Sequence, residues 1–207
     1  MAEATALIAG FDAGQTHTSC RLMQQSASGH WFAVGEGSGP GISHLAAPDG
    51  PARFRAALEI SLAEARAALE HEAPTLTAAA VGASGIEAGS LVQEQGHALA
   101  AGTLNLPAER VLVSGDERTA LRGAFAHGAG ILMISGTGCI ALGRDATGRE
   151  HRCGGWGWLL DGRGSAMDIG RDALMLSVRM ADGRDRDTIL RDTLWNALHV
   201  RRPEELK

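Results

Sequence analysis

Lysine is almost absent from this sequence: the single lysine, Lys207, is the last residue, and arginine carries the rest of the positive charge. A P-loop needs a lysine beside its glycines to contact the nucleotide phosphates. A protein kinase needs a strand lysine that pairs with a helix glutamate. Lys207 can take neither position, so this sequence contains neither of these two nucleotide-binding sites.

Cysteine is also scarce, and Cys20, Cys139 and Cys153 are odd in number and widely spaced. This pattern excludes the disulfide framework of a small secreted domain. No apolar run approaches the ~18 residues of a membrane-spanning helix. The first residues, Met-Ala-Glu-Ala, have neither the basic nor the apolar region of a secretory signal. We therefore expect a cytoplasmic protein without a membrane partner.

Basic clusters are missing as well. The formal net charge is −5, and the only basic run is Arg201-Arg202. A nucleic-acid-binding protein is expected to carry a positive patch, so nucleic acid is not the expected partner. His151 and Cys153 lie close together, but a structural zinc site takes four ligands at close spacing. A zinc site is therefore not favoured.

Strand and helix patterns alternate along most of the chain, which predicts the α/β class. The clearest helix is 51–72, where Phe54, Leu58 and Leu62 recur at helical spacing. Segments 6–24 and 130–144 are both predicted as strand–turn–strand units with glycine and threonine in the turn. We place a domain boundary between them, giving 1–117 and 118–207. The glycine-rich stretches 35–45 and 151–165 are predicted as loops.

The first turn follows an apolar strand that ends on Asp12, and it contains Gly14, Thr16 and Thr18. Glycine lets a backbone approach a ligand closely, and successive N–H groups in a turn bind anions. Asp12 repels phosphate unless a cation lies between them, and Mg²⁺ is often held by one carboxylate together with substrate phosphates. We therefore predict that Asp12 is the metal-side acid of a nucleotide–Mg²⁺ site.

The second turn contains Gly136, Thr137 and Gly138, which supply donors and no acid. The two turns together are predicted to bind ATP and Mg²⁺. For either motif taken alone, a plain hairpin turn is the alternative interpretation.

Asp116 stands between an apolar strand and a helix, in the stretch VLVSGDERTALRG. Aspartate is a good N-cap, which is one sufficient reason for an acid at this position. Catalytic groups of α/β proteins also lie at the carboxyl ends of strands. An acid there can accept the proton of an attacking hydroxyl group in phosphoryl transfer. Position alone leaves both interpretations open.

The stretch 151–165 is rich in glycine and tryptophan. It fits a packed loop anchored by aromatic side chains. It fits equally a polyol site in which glycines expose backbone donors and an indole face covers a sugar ring. The spacing does not decide between the two.

Five stretches in this order resemble the BadF/BadG/BcrA/BcrD ATPase family, and within it the N-acetylglucosamine and glucosamine kinases: FDAGQTHTSCRL, VGASG, VLVSGDERTALRGAF, ILMISGTGCIALGRD and RCGGWGWLLDGRGSAMDIGRDAL. The resemblance implies two ribonuclease-H-like lobes of the actin-like ATPase fold, with the second lobe incomplete relative to the family. It implies that Asp116 is the base toward the sugar hydroxyl and that Gly155 contacts the sugar through its backbone.

The resemblance also has departures on the sugar side. Gly162 stands where family members have a sugar-binding aspartate, Arg163 replaces the next acid, and Asp161 lies one residue early. The candidate substrate-binding residues are Cys153, Gly155 and Asp161. An incomplete lobe exposes apolar surface, so we expect a homodimer.

The activity that the resemblance implies is ATP-dependent phosphorylation of a hydroxyl group on an amino sugar such as glucosamine or N-acetylglucosamine. One alternative is a catalytically inactive module that binds nucleotide or sugar, which the altered DGRGS run favours. The other is an ATPase activator of a dehydratase or reductase, which holds an iron–sulfur cluster through cysteines. The three cysteines of this chain do not follow the pattern of those activators.

Overall fold

The computed structural model describes residues 6–69 and 74–206. Within them the chain forms eight strands and five α-helices: β1 Leu7–Ala13, β2 His17–Gln25, β3 Trp31–Pro40, α1 Gly50–Ala67, β4 Leu76–Ala83, α2 Leu91–Leu104, β5 Val111–Gly115, α3 Asp116–Ala124, β6 Gly130–Ser135, β7 Cys139–Arg144, β8 Glu150–Gly154, α4 Ala166–Ala181 and α5 Ile189–Ala197. The predicted α/β class is confirmed. The predicted helix 51–72 corresponds to α1, and its residues 70–72 lie outside the described residues.

The larger sheet has the strand order β3-β2-β1-β4-β5. β1, β2 and β3 form an antiparallel meander, whereas β4 is parallel to β1 and β5 is parallel to β4. The carboxyl ends of β1, β4 and β5 therefore lie at one edge of the sheet. This edge carries Asp12, the predicted metal-side acid, and Asp116, the candidate catalytic base.

Helices cover both faces of this sheet. The main core lies between the sheet and the α1–α2 layer, and fully buried side chains such as Leu22, Phe54 and Leu58 fill it. Helix α3 packs on β4 where Gly82 leaves room for Thr119, since a Cβ atom at Gly82 would overlap the Thr119 side chain. This close approach holds the beginning of α3 at the carboxyl edge.

The glycine-rich stretch 35–45 is only partly a loop, contrary to the prediction, because β3 extends to Pro40. Gly35, Gly37 and Gly39 face α1, and a Cβ atom on Gly35 or Gly37 would overlap the helix backbone. The glycines thus allow α1 to pack directly on the edge strand. The sequence predicts a loop here because glycines are typical of loops. In the structure they are needed for a contact with α1, a helix that lies further along the chain.

The smaller sheet is an antiparallel meander with the order β6-β7-β8. β6 and β7 form the predicted second hairpin, but β8 falls partly in the stretch that was predicted as a loop. Its hairpin turn is held by Asp145, whose carboxylate accepts hydrogen bonds from the backbone N–H groups of Thr147 and Arg149. Helices α4 and α5 pack together, and the buried Trp195 donates its indole N–H to Ser177 Oγ at 3.0 Å.

The chain divides into two compact units after His127, whereas the sequence placed the boundary after residue 117. Helix α3 belongs to the first unit because it packs on β4 and β5 and buries Leu121. None of the helices in the described residues is long and apolar enough to cross a lipid bilayer.

Candidate active site

The first turn is a tight hairpin between β1 and β2. The Gly14 N–H donates to the His17 carbonyl at 3.0 Å, and the Gly14 carbonyl accepts from the Ile42 N–H at 2.9 Å. The backbone groups of Gly14 therefore hold the turn together. Gln15, Thr16 and His17 are the exposed residues of the turn, and the Thr16 hydroxyl lies 3.4 Å from His17 Nδ1.

Thr18, which the sequence predicts among the cofactor-binding residues, does not present its hydroxyl to the outside of the turn. The side chain is fully buried, and Oγ1 donates to the Pro40 carbonyl at 2.9 Å. Thr18, Cys20 and Leu22 are alternate residues of β2, and their side chains lie on the same buried side of the strand. Its structural role is to tie the first turn to the end of β3.

Asp12 lies one residue before the end of β1 and is exposed. It pairs across the sheet with Ser19 of β2, and both residues line a groove of about 840 Å³ together with Arg21, Glu36 and Thr119. No cluster of three or more histidine, cysteine or acidic side chains capable of holding a metal occurs in the described residues. A single exposed carboxylate such as Asp12 is compatible with Mg²⁺, which is often held mainly by water and substrate phosphate oxygens.

Asp116 follows directly after β5 and is the first residue of α3. The N-cap is Gly115, which corrects the strict N-cap interpretation of Asp116. Asp116 Oδ1 still accepts from the Glu117 N–H at 2.8 Å, so it satisfies one of the free donors at the beginning of the helix. Gly115 lies in register with Ala83 of β4 and, through it, with Ala13 of β1. Asp12 and Asp116 thus lie at the same edge, about two strand spacings or ~10 Å apart along the sheet.

The next residue, Glu117, is a buried acid that the sequence reasoning missed. It is only 8% exposed, and its carboxylate occupies the space beside Gly115 where a side chain would otherwise lie. Burial raises the pKa of Glu117, and the hydrogen bond and negative charge of Asp116 raise it further. Two adjacent acids at the end of a strand, SGDE, were the signal in the sequence.

The second turn joins β6 and β7 through the exposed residues Gly136, Thr137 and Gly138. A Cβ atom on either glycine would meet nothing within 4 Å, and neither glycine has a left-handed φ. Packing within this chain therefore does not require glycine at these positions. The turn is held in place because Ser135 Oγ donates to the Gly164 carbonyl and the Ala166 N–H donates to the Gly136 carbonyl, both at 2.8 Å.

Two of the candidate sugar-binding residues, Gly155 and Asp161, follow β8 in the chain and lie close to its last residues. Gly155 has a φ of +77°, and its carbonyl accepts a hydrogen bond from Arg152 Nη2 at 2.6 Å. Asp161 lies close to Gly154, since a Cβ atom there would be 3.2 Å from Asp161 Oδ2. That oxygen is buried and has no hydrogen-bond partner within the part of the chain that the structure describes. It is therefore an acceptor without a donor.

Cys153 is exposed on β8, opposite Ala141 of β7, and is a free thiol. Cys139 and Cys20 are free as well, and burial raises the pKa of the Cys20 thiol to about 12. Cys20 is thus a protonated side chain of the core.

Comparison with known proteins places this site in a family. The profile of the BadF/BadG/BcrA/BcrD ATPase family matches residues 9–202. An N-acetylmuramic acid/N-acetylglucosamine kinase of Clostridium acetobutylicum is 37% identical over 97 residues, which are 47% of this chain and 32% of that protein. An N-acetyl-D-glucosamine kinase of Dictyostelium discoideum is 39% identical over 77 residues, which are 37% of this chain and 24% of that protein.

Among solved structures, a candidate N-acetylglucosamine kinase from Chromobacterium violaceum matches with a TM-score of 0.71 and 24% identity. The match covers 93% of this chain and 64% of that one, so this chain spans less than two thirds of the solved relative. This likeness confirms the expected actin-like ATPase fold. Within the described residues, the larger sheet has five strands and the smaller sheet has three. The family match covers nearly the whole chain, and we conclude that this protein is a member of the BadF/BadG/BcrA/BcrD ATPase family.

Proposed function

We propose that this protein transfers the γ-phosphoryl group of ATP to a hydroxyl group of an amino sugar of the N-acetylglucosamine type. The observation that carries the proposal is the position of Asp12 and Asp116 at one carboxyl edge of the larger sheet. Ligands of open α/β sheets bind at such an edge. The named activities of the two sequence relatives support a sugar as the acceptor.

Asp116 is the proposed general base. Its carboxylate accepts the proton of the sugar hydroxyl as that oxygen attacks the phosphorus atom. The Glu117 N–H fixes one carboxylate oxygen at 2.8 Å, and the other oxygen is the proposed proton acceptor. When bound, ATP would supply the phosphoryl group and Mg²⁺ would neutralise its charge. Catalysis by the chain itself is then mainly positioning of the acceptor.

Each turn is proposed, taken by itself, to contact nucleotide phosphates. The exposed residues proposed for this contact are Thr16 on the first turn and Gly136, Thr137 and Gly138 on the second. Asp12 is the residue that would hold Mg²⁺, with a single carboxylate from the protein. Gly14 and Thr18 support the first turn from behind, because their polar groups are already bonded within the chain. The open space beside Gly136 and Gly138 supports close approach of a ligand to the backbone.

The sugar is proposed to bind at the loop after β8. Asp161 is half-buried, and its carboxylate is proposed to accept a hydrogen bond from a sugar hydroxyl. Gly155 contacts the ring through its backbone, and Cys153 lies beside it on β8. Asp161 thus replaces the acid that family members carry one residue later.

The second turn gives a direct test of nucleotide binding. Gly136→Ala and Gly138→Ala are expected to leave the unfolding temperature unchanged, because each new methyl group meets open space. Each variant is expected to raise the KM for ATP by about tenfold, since a methyl group at a phosphate-binding backbone blocks close approach. Steady-state kinetics and thermal unfolding on the same samples check both parts. An unchanged KM for ATP in both variants would contradict the assignment of this turn.

The kinase proposal itself is tested by ADP release with Mg²⁺ and ATP in the presence of glucosamine, N-acetylglucosamine, glucose or N-acetylmuramate, or without acceptor. ADP release that depends on one of the amino sugars is the expected result. ADP release at the same rate with and without sugar would favour the ATPase activator. Binding of nucleotide or sugar without ADP release would favour an inactive module. Reducing conditions suit the three free cysteines and a cytoplasmic site of action.

A homodimer is part of the proposal. Ile131 and Met133 of β6 are 76% and 73% exposed, on a strand that has a neighbour on one side only within the described residues. Apolar edge strands of this kind pair with other chains unless they are covered.

A further inference from the structure

The side chain of Glu117 has no role in the proposed reaction, although it is a buried acid next to the proposed base. It follows Asp116 in α3, is 8% exposed, and places its carboxylate beside Gly115 at the end of β5. A buried carboxylate is costly unless it is paired with a positive charge or neutralised. The protonation state of Glu117 therefore determines whether its side chain can donate a hydrogen bond to Asp116.

Two charged side chains of its own helix interact with Glu117. Within α3 they are Asp116, whose side chain hydrogen-bonds to Glu117, and Arg118, whose Nε lies 3.8 Å from Glu117 Oε1. α3 packs on β4 and β5, and neither Leu76–Ala83 nor Val111–Gly115 contains a charged residue. The positive charge of Arg118 favours the ionised form of Glu117, but burial and the neighbouring Asp116 outweigh it, so the pKa of Glu117 stays raised.

Two carboxyl groups that hydrogen-bond to each other need one proton between them, because two carboxylates offer only acceptors. Burial favours the neutral form at Glu117, the less exposed of the two. This inference rests on the proposed function of Asp116. We propose that Glu117 is a positioning residue, a neutral carboxylic acid whose O–H donates to the Asp116 carboxylate and holds it in the orientation required of a base. Together with the Glu117 N–H, this gives Asp116 two donors from one residue.

A first experiment does not depend on catalysis. The unfolding of wild type, Glu117→Gln and the exposed-acid control Glu59→Gln is followed at several values between about pH 4.5 and pH 8, starting near the ordinary pKa of glutamate. The pKa of Glu117 is raised in the folded protein, so the folded state binds more protons than the unfolded state as pH rises above that value. Stability from Glu117 is therefore present at low pH and lost as pH rises through the folded pKa.

Glutamine stays neutral and keeps a donor, so the unfolding midpoint of Glu117→Gln is expected to rise relative to wild type as pH increases. Glu59→Gln is expected to follow wild type in parallel, since Glu59 is exposed on α1. Parallel curves for wild type and Glu117→Gln would overturn the neutral-acid inference whatever the kinase assay gives.

The second experiment compares the kinetics of sugar phosphorylation in Glu117→Gln and Glu117→Leu. Glutamine retains a donor to Asp116, so kcat is expected to stay within about threefold of wild type. Leucine removes the donor at similar volume, and kcat is expected to fall by about tenfold to a hundredfold with little change in the sugar KM, because a misplaced base costs this much. Equal kcat values for the two variants would overturn the positioning role. A third outcome separates the two proposals. If the unfolding midpoints of wild type and Glu117→Gln diverge with pH but wild type phosphorylates no sugar, the proposed function is overturned and the hydrogen-bonded pair of Asp116 and Glu117 is supported.

Discussion

Asp116→Asn is expected to abolish most sugar phosphorylation while the protein stays folded. The amide keeps the shape of the side chain and an oxygen that accepts from the Glu117 N–H, but it cannot take a proton from the sugar hydroxyl. General base catalysis contributes about 10²–10⁴-fold, so kcat is expected to fall by a factor in that range with little change in the KM values. The rate of sugar-phosphate formation and the unfolding temperature, measured on the same sample, check the prediction.

Asp192→Asn is the matched control for this variant. Asp192 is also an acid in the first turn of a helix, α5, and its side chain is 68% exposed. The control is expected to retain full activity. If Asp116→Asn kept wild-type kcat in a folded protein, Asp116 would be only a residue that stabilises the beginning of α3.

Gly37→Ala is expected to destabilise the first unit by about 3 kcal/mol, at the upper end of what overpacking costs. The new methyl group would overlap the backbone of α1 at Ser61 and Ala65. Backbone atoms cannot rotate away as a side chain can, so α1 must shift from β3. Urea unfolding at constant pH measures the effect on the free energy of unfolding.

Gly102→Ala is the matched control. Gly102 lies in α2, where a Cβ atom would meet nothing within 4 Å. Alanine is the better helix former by up to about 1 kcal/mol, so this variant is expected to be neutral or slightly more stable. A Gly37→Ala protein as stable as wild type would refute the direct packing of α1 on β3.

The parts of this structure that local sequence determines were predictable. The hairpins 6–24 and 130–144 come from apolar strands interrupted by glycine and threonine, and Asp116 was expected at the end of a strand because the run VLVSG precedes it. The positions of Gly155 and Asp161 came from the family resemblance rather than from spacing. The family and the fold class are confirmed, while the roles of these residues remain predictions.

The parts that depend on distant contacts were not predictable in the same way. The glycines of β3 are explained only by α1. The sequence predicts a loop where most of β8 lies. The strand forms because it pairs with β7, and this pairing is not visible in its own residues. The inward direction of Thr18 follows from its parity with Cys20 and Leu22 along β2, a signal that the sequence carries once the strand is known. The burial of Glu117 depends on the missing side chain of Gly115, which only the folded edge reveals.

The most direct measurement is the transfer of labelled γ-phosphate from ATP to N-acetylglucosamine or glucosamine, with the product identified by mass spectrometry. A labelled sugar phosphate from wild type and Asp192→Asn, and none above background from Asp116→Asn, is the result that the account predicts. Folded wild-type protein that forms no sugar phosphate, or an Asp116→Asn variant that forms as much as wild type, would contradict it.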